Sequence, residues 1–192
     1  MAKTDIDLVG ETHQKMLFTD LRTLAEKLYK RNPKEWKKGN HASLEDALNA
    51  LFTEPYPEPE SKHGTDCIRL AFEESYQGDR VAAFIAGLST MIMDSYGNKH
   101  SYYILDRLDA QTLYNSARNI EVAAWMLRSK LDAKGQPYLQ SSTQGSEVNL
   151  SFERLFGRLI ANQDTIAQVT ADRTHRIIKT TLQTVMMAFI PL

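Results

Sequence analysis

The sequence predicts an all-α (mainly α) protein: a compact helical bundle around one buried central helix, with one candidate short β-hairpin. Three observations predict it. Apolar residues recur at helical spacing along most of the chain. The one long uncharged run, "RVAAFIAGLSTMIMD", is too short to cross a membrane. Apolar residues make up 42% and charged residues 24% of 192, the composition of a folded globule rather than of a disordered chain. A chain of this length buries roughly 70% of the surface its unfolded form exposes, so a single helical domain over residues 1–192 is expected.

From Thr12 onward, Leu17, Leu21, Leu24 and Leu28 recur at alternating intervals of four and three, the stripe of a helix that Pro33 should end. "HASLEDALNALF" puts Asp46 three residues after Ser43, the spacing at which two side chains cap the free amides of a first turn. Leu44, Ala47, Leu48 and Leu51 then form the apolar face of a second helix. In "TEPYPEPESKHG", residues 53–64, Pro55, Pro57 and Pro59 remove amide donors and bar helical dihedrals, which makes this a proline-rich loop. "TDCIRLAFEESY" predicts a third helix, and Gly78-Asp79 supplies a stop followed by an N-cap.

The thirteen residues between Arg80 and Asp94 rise about 20 Å as a helix, short of the roughly 30 Å hydrocarbon core of a bilayer. Apolar on all sides, they predict a buried central helix, with Ala82, Ala83, Ala86 and Gly87 as a face where another backbone can approach closely. "YGNKHSYYILD" predicts a turn into a β-favouring run, and "GQPYLQSST" is a second extended candidate that would pair with it. Between them Asp109 caps a helix with the stripe Leu113, Ala117, Ile120, Ala124, Leu127 and Leu131, ended by Gly135. From Val148 to Ile190 no proline intervenes. One unbroken helix there would be a rod of about 65 Å, so a bend or restart is expected near Asn162–Asp164.

Net charge is −1, from 23 Lys plus Arg against 24 Asp plus Glu, so no global field draws the chain to nucleic acid or anionic lipid. The single cysteine, Cys67, excludes an internal disulfide and a cysteine-based zinc cluster. It shares a helical side with Leu70 and Ala71, the setting of a buried, inert thiol. No glycine-rich phosphate loop, H-E-x-x-H or G-x-S-x-G is present, so no catalytic residue, metal ligand or cofactor is expected. Glu60 and His63 have the E-x-x-H spacing of di-metal bundles, but in the proline loop rather than on a helix. His13 lies on the first apolar stripe, as a half-buried, hydrogen-bonded histidine would.

Two stretches are candidates for contact. In "KLYKRNPKEWKKGN" six cations face only Glu35, with Tyr29 and Trp36 interleaved. Lys34, Trp36, Lys37 and Lys38 could meet an anionic surface, or the cations could simply stabilise a helix C-terminus. In "LYNSARN", Asn115 and Asn119 lie one turn apart beside Arg118 at the edge of a helix stripe. They satisfy a neighbouring loop's backbone, or they contact a ligand or partner. A pocket, if one exists, should centre on His100, Tyr102 and Arg118.

The segments "GDRVAAFIAGLSTMIMDSYG", "LDAQTLYNSARNIEVAAWMLRS" and "VNLSFERLFGRLIANQD" resemble a family of small uncharacterised proteobacterial envelope lipoproteins, over roughly Glu11 to the end. That family looks like leader-bearing precursors anchored through an N-terminal lipidated cysteine. Here "MAKTDIDLVG" lacks the apolar run of a leader, and Cys67 is too internal to be the lipidated residue. The resemblance implies a periplasmic location, lipid-anchored in the full-length precursor, with a cytoplasmic one as the alternative; it implies no activity. The expected function is therefore non-enzymatic, through protein–protein or envelope-surface contacts with an unknown protein partner or anionic surface. The alternative is a helical small-ligand-binding protein or an enzyme of unrecognised type, which should enclose a cavity of roughly 300 Å³ or more.

Overall fold

A computed structural model describes residues 5–102, 108–142, 150–174, 178 and 188–192, and among these the protein is mainly helical. Helix α1 (Asp5–Arg31) starts upstream of Thr12 and buries Leu17, Leu21, Leu24 and Leu28 completely. It ends at Asn32, whose side-chain amide donates to the Leu28 carbonyl (2.8 Å). Pro33 does more than end α1. It opens a six-residue helix, α2 (Pro33–Lys38), at a first-turn position where the missing N–H has no partner to lose. Helix α3 (Leu44–Leu51) begins as the sequence predicts, with Ser43 Oγ accepting from the Asp46 amide (3.1 Å). The proline loop contains one 3-10 turn, Pro59–Ser61.

Helix α4 (Gly64–Leu70) is shorter than its sequence suggests. The chain from Ala71 to Asp79 is held in turns by the buried Arg80 guanidinium, which donates to the carbonyls of Ala71 (2.8 Å), Glu73 (2.8 Å) and Tyr76 (2.7 Å). Helix α5 (Arg80–Ser95) is capped by Asp79, which accepts from the Ala82 amide (2.9 Å), and every residue of it except Ala82 and Asp94 is buried. Of the predicted close-approach face, Gly87 makes the contact. A Cβ added at Gly87 would lie 2.6 Å from the Ile68 nitrogen and 2.7 Å from the Gly64 oxygen, so α4 and α5 touch backbone to backbone.

Helix α6 (Ala110–Ser129) is capped by Asp109 (2.9 Å to the Thr112 amide) and stops before Leu131, which the sequence placed on its stripe. Asp132 overrides that stripe by gathering the amides of Lys134 (2.9 Å) and Gln136 (2.8 Å) into a tight turn, and Leu131 is left 48% exposed. The predicted hairpin is not found among the described residues. "GQPYLQSST" makes one isolated bridge, Leu131 to Pro137, within its own turn. Farther on it docks on the end of α1, where the Asn32 side chain exchanges hydrogen bonds with the Gln140 backbone (2.8 and 2.9 Å). Residues 103–107 of its expected partner strand lie outside the described residues.

Helix α7 (Ser151–Thr174) runs straight through Asn162–Asp164, where a break was expected. The three polar residues do not interrupt the helix because each finds a partner on a neighbour. Asn162 pairs with the His13 ring and backbone on α1. Gln163 donates to Ser95 on α5 (3.1 Å) and Ser116 on α6 (2.8 Å), and Asp164 accepts from Arg118 on α6 (2.6 Å). Residues 175–177 and 179–187 of that proline-free stretch lie outside the described residues. α7 packs along α6 and α1, α5 packs on α4, and one continuous set of buried apolar side chains draws on α1 and on α3 through α7. No helix among the described residues is long and apolar enough to cross a membrane.

The contact at Gly87 sets an expectation for stability. Gly87→Ala should destabilise the fold by about 1–3 kcal/mol, because a methyl there forces two backbones apart. Ala86→Gly, one residue away on the same helix, should cost only about 1 kcal/mol of helix propensity plus one lost methyl contact. Urea unfolding of the two variants measures the difference, and equal midpoints would show that α4 can move aside.

Candidate functional site

Three places bring chemistry-bearing side chains together. The first is the edge of α6 that the sequence singled out. Asn115 and Asn119 project from successive turns, both buried, and both hold the backbone of the segment 188–192. Asn119 Nδ2 donates to the Ile190 carbonyl (2.8 Å) while its Oδ1 accepts from the Ile190 amide (2.6 Å), and Asn115 Nδ2 donates to the Pro191 carbonyl (2.8 Å). Gln111 supports Asn115 from one turn earlier (2.9 Å). Arg118 faces the other way, pairing with Asp164 on α7 (2.6 Å) and Glu121 (3.2 Å) and lying over the Tyr114 ring. Burial raises the Glu121 pKa, against the pull of Arg118 and with a further push from Asp164.

The second place is a groove of about 400 Å³ between the proline loop and the end of α5. His63 sits between two carboxylates, 2.6 Å from Glu58 on the loop and 2.8 Å from Asp94 on α5. His100 pairs across the same groove with Glu54 (2.5 Å). Tyr56, stacked on Phe18, contributes a hydroxyl beside Glu54 (3.5 Å), and burial together with that carboxylate pushes its pKa up to about 12. Burial pulls the His63 pKa down, but its hydrogen bonds to Glu58 and Asp94 outweigh burial and hold it above the ordinary value of 6.5. Among the described residues no group of three or more His, Cys, Asp or Glu is arranged to hold a metal ion.

The third place is α2. Trp36 is half-buried against the core, Lys37 Nζ lies 5.6 Å from the centre of its ring, and Lys34 is exposed. Lys38 is tied to Glu35 (2.8 Å) and to the Gly78 carbonyl (3.1 Å), and Lys30 to Glu26 (2.5 Å). Glu35 in turn accepts from the Arg80 amide (2.7 Å) at the start of α5.

The residues proposed for a pocket have separate partners. His100 pairs with Glu54, and Arg118 with Asp164. Tyr102 is buried, its amide donating to Glu11 (2.9 Å) and its hydroxyl to the Lys99 carbonyl (2.8 Å). Tyr102 lines a smaller cleft of about 160 Å³ beside the end of α5. Cys67 is the buried thiol its neighbours suggest: it donates to the Ala83 carbonyl (3.1 Å), and burial pushes its pKa up to about 12. Sequence spacing points to Glu60 beside His63, whereas Glu58, just before the 3-10 turn, and Asp94, 31 residues along the chain, are the carboxylates that bridge it. No family model, curated protein or solved structure matches the chain.

Because the His63 pKa is raised by folding, its contribution to stability is complete below about pH 6.5 and is lost as the pH rises through the folded-state pKa. Partly exposed pairs of this kind contribute about 1 kcal/mol or less. His63→Gln should lower the melting temperature at pH 6 and have a smaller effect at pH 8.5. A variant whose deficit grows with pH would reverse this assignment.

Proposed function

We propose that this protein is a non-enzymatic helical domain, a bundle assembled about α5, that acts by surface contact in the bacterial envelope, with the exposed face of α2 meeting anionic headgroups. One observation carries this reading. Lys34 and Lys37 flank a half-buried indole on a short helix with no buried residue, while the neighbouring Lys30 and Lys38 are committed to Glu26 and Glu35. Trp36 packed on the core with the exposed ammonium groups of Lys34 and Lys37 around it suits the boundary between water and phosphate headgroups. The resemblance to envelope lipoproteins supports a periplasmic location with a lipid anchor on the precursor; a cytoplasmic location is the alternative. The near-neutral net charge weighs against nucleic acid as the partner.

A second reading, a small-ligand site, is favoured by the groove of about 400 Å³ at His63 and His100, which is as large as a small-molecule pocket needs to be.

The readings separate experimentally. In co-sedimentation with phosphatidylglycerol-containing vesicles, Lys34→Glu with Lys37→Glu should lower partitioning by about tenfold or more, since each cation near such a surface is worth about 1 kcal/mol. Added salt should do the same to the unaltered protein. Unchanged partitioning of the double variant removes the surface reading. A rise in melting temperature with a metal, nucleotide or small organic ligand, abolished by His100→Ala, would instead support the groove.

A further inference from the structure

The segment 188–192 runs along α6 from its C-terminal end toward its N-terminal end, and α6 grips it almost wholly by its backbone. One carboxamide, Asn119, takes both the N–H (2.6 Å) and the C=O (2.8 Å) of Ile190, and Asn115 takes the next carbonyl, that of Pro191 (2.8 Å). A single amide can reach both groups only where the gripped residue is extended, and a following proline enforces that shape, as Pro191 does for Ile190. Side-chain selection comes one residue earlier. Phe189 lies under the Arg69 guanidinium (4.9 Å) in a groove whose other walls are Phe72 and Glu73 from the turns after α4, Trp125 and Met126 from the last turns of α6, and Lys130 just past its end.

With Phe189 in place, that groove still holds about 490 Å³ of open volume. The chain's own segment therefore satisfies the backbone clamp and leaves the adjoining aromatic groove underfilled. Main-chain bonds that give affinity, beside a pocket that reads one side chain, are the division of labour of sites for extended peptides.

We infer that the α4–α6 groove is a docking site for an extended peptide segment of a partner protein, and that residues 188–192 occupy it in cis as a weaker competitor. The chemistry fixes the motif: a bulky aromatic side chain, then a residue that retains its N–H, then proline. The N–H is required because Asn119 Oδ1 accepts it. Proline is allowed at the third position because only its carbonyl is bound. This site shares no residue with the α2 surface, so it stands or fails independently of lipid binding.

The test uses the full chain and a fluorescein-labelled peptide Ala-Phe-Ile-Pro-Leu, followed by fluorescence anisotropy. A tethered competitor acts at about millimolar effective concentration, so the unaltered protein should take up the peptide poorly. Ile190→Pro removes the amide that Asn119 accepts and should improve the apparent affinity about tenfold or more, and a peptide with Trp in place of Phe should bind tighter still. Asn119→Leu in the Ile190→Pro background should abolish uptake, as should proline in place of isoleucine in the peptide. If Ile190→Pro loses the helical circular dichroism signal, Phe189→Ala, which leaves the backbone bonds formable but empties the aromatic groove, is read in its place. A folded variant that binds the peptide no better than the unaltered protein overturns the inference. So does a concentration-dependent dimer of the unaltered protein that the peptide dissociates, since the natural occupant would then be a second copy.

Discussion

A helix with almost no solvent face cannot exist alone, and α5 imposes that constraint on the rest of the protein. With all but two of its residues buried, it has to be covered on every side. Each cover is different in kind: α4 lies on it backbone to backbone at Gly87, Phe156 of α7 meets the Phe84 ring edge-on, and Glu35 from the first turn of α2 closes its start. The tightest of these contacts tolerates the least change, since two main chains cannot repack as side chains do. The caps at Asp79 and at the C-terminal turn then satisfy its end groups without solvent.

Apolar cover alone would leave the register of the long helices loosely specified. Specificity comes from a polar seam along α7, where consecutive residues reach three different helices: Asn162 to α1, Gln163 to α5 and α6, Asp164 to α6. Gln163 is completely buried, so sliding α7 by one turn would strand its amide among apolar groups. A misplaced buried amide costs on the order of 1–3 kcal/mol, more than most single apolar contacts restore. The same logic recurs at Asn32 and Asn119, where a side-chain amide locks an irregular segment onto a helix by its backbone.

Much of this was legible in the sequence, and the exceptions share a cause. The leucine stripe of α1, the Ser43, Asp79 and Asp109 caps and the buried central segment follow from local spacing. The expected break at Asn162–Asp164 failed because polar residues inside a helix resemble a stop until their partners on other helices are known. α6 ends earlier than its apolar stripe suggests because the Asp132 carboxylate collects the amides of the following turn and Leu131 is left exposed. The edge at Asn115 and Asn119 was visible as an anomaly, asparagines where a helix prefers other residues. Its partner, some 70 residues away, was not. His63 illustrates the same limit, since a loop residue and a helix end meet only in three dimensions.

Arg80 carries a consequence for how the molecule comes apart. Its guanidinium belongs to the first residue of α5, yet it holds the carbonyls of Ala71, Glu73 and Tyr76 and lies 4.7 Å from the centre of the Tyr138 ring. The connection between α4 and α5 has few bonds of its own, among them the Tyr76 amide to the Glu73 carbonyl (3.2 Å) and the Tyr76 hydroxyl to the Asp79 carbonyl (3.4 Å), and leans on Arg80 for the rest. Those turns lose three of their carbonyl partners when α5 leaves. α4, the turns and α5 therefore loosen together, and a break that starts at the first turn of α5 spreads into the connection before it reaches the rest of the core.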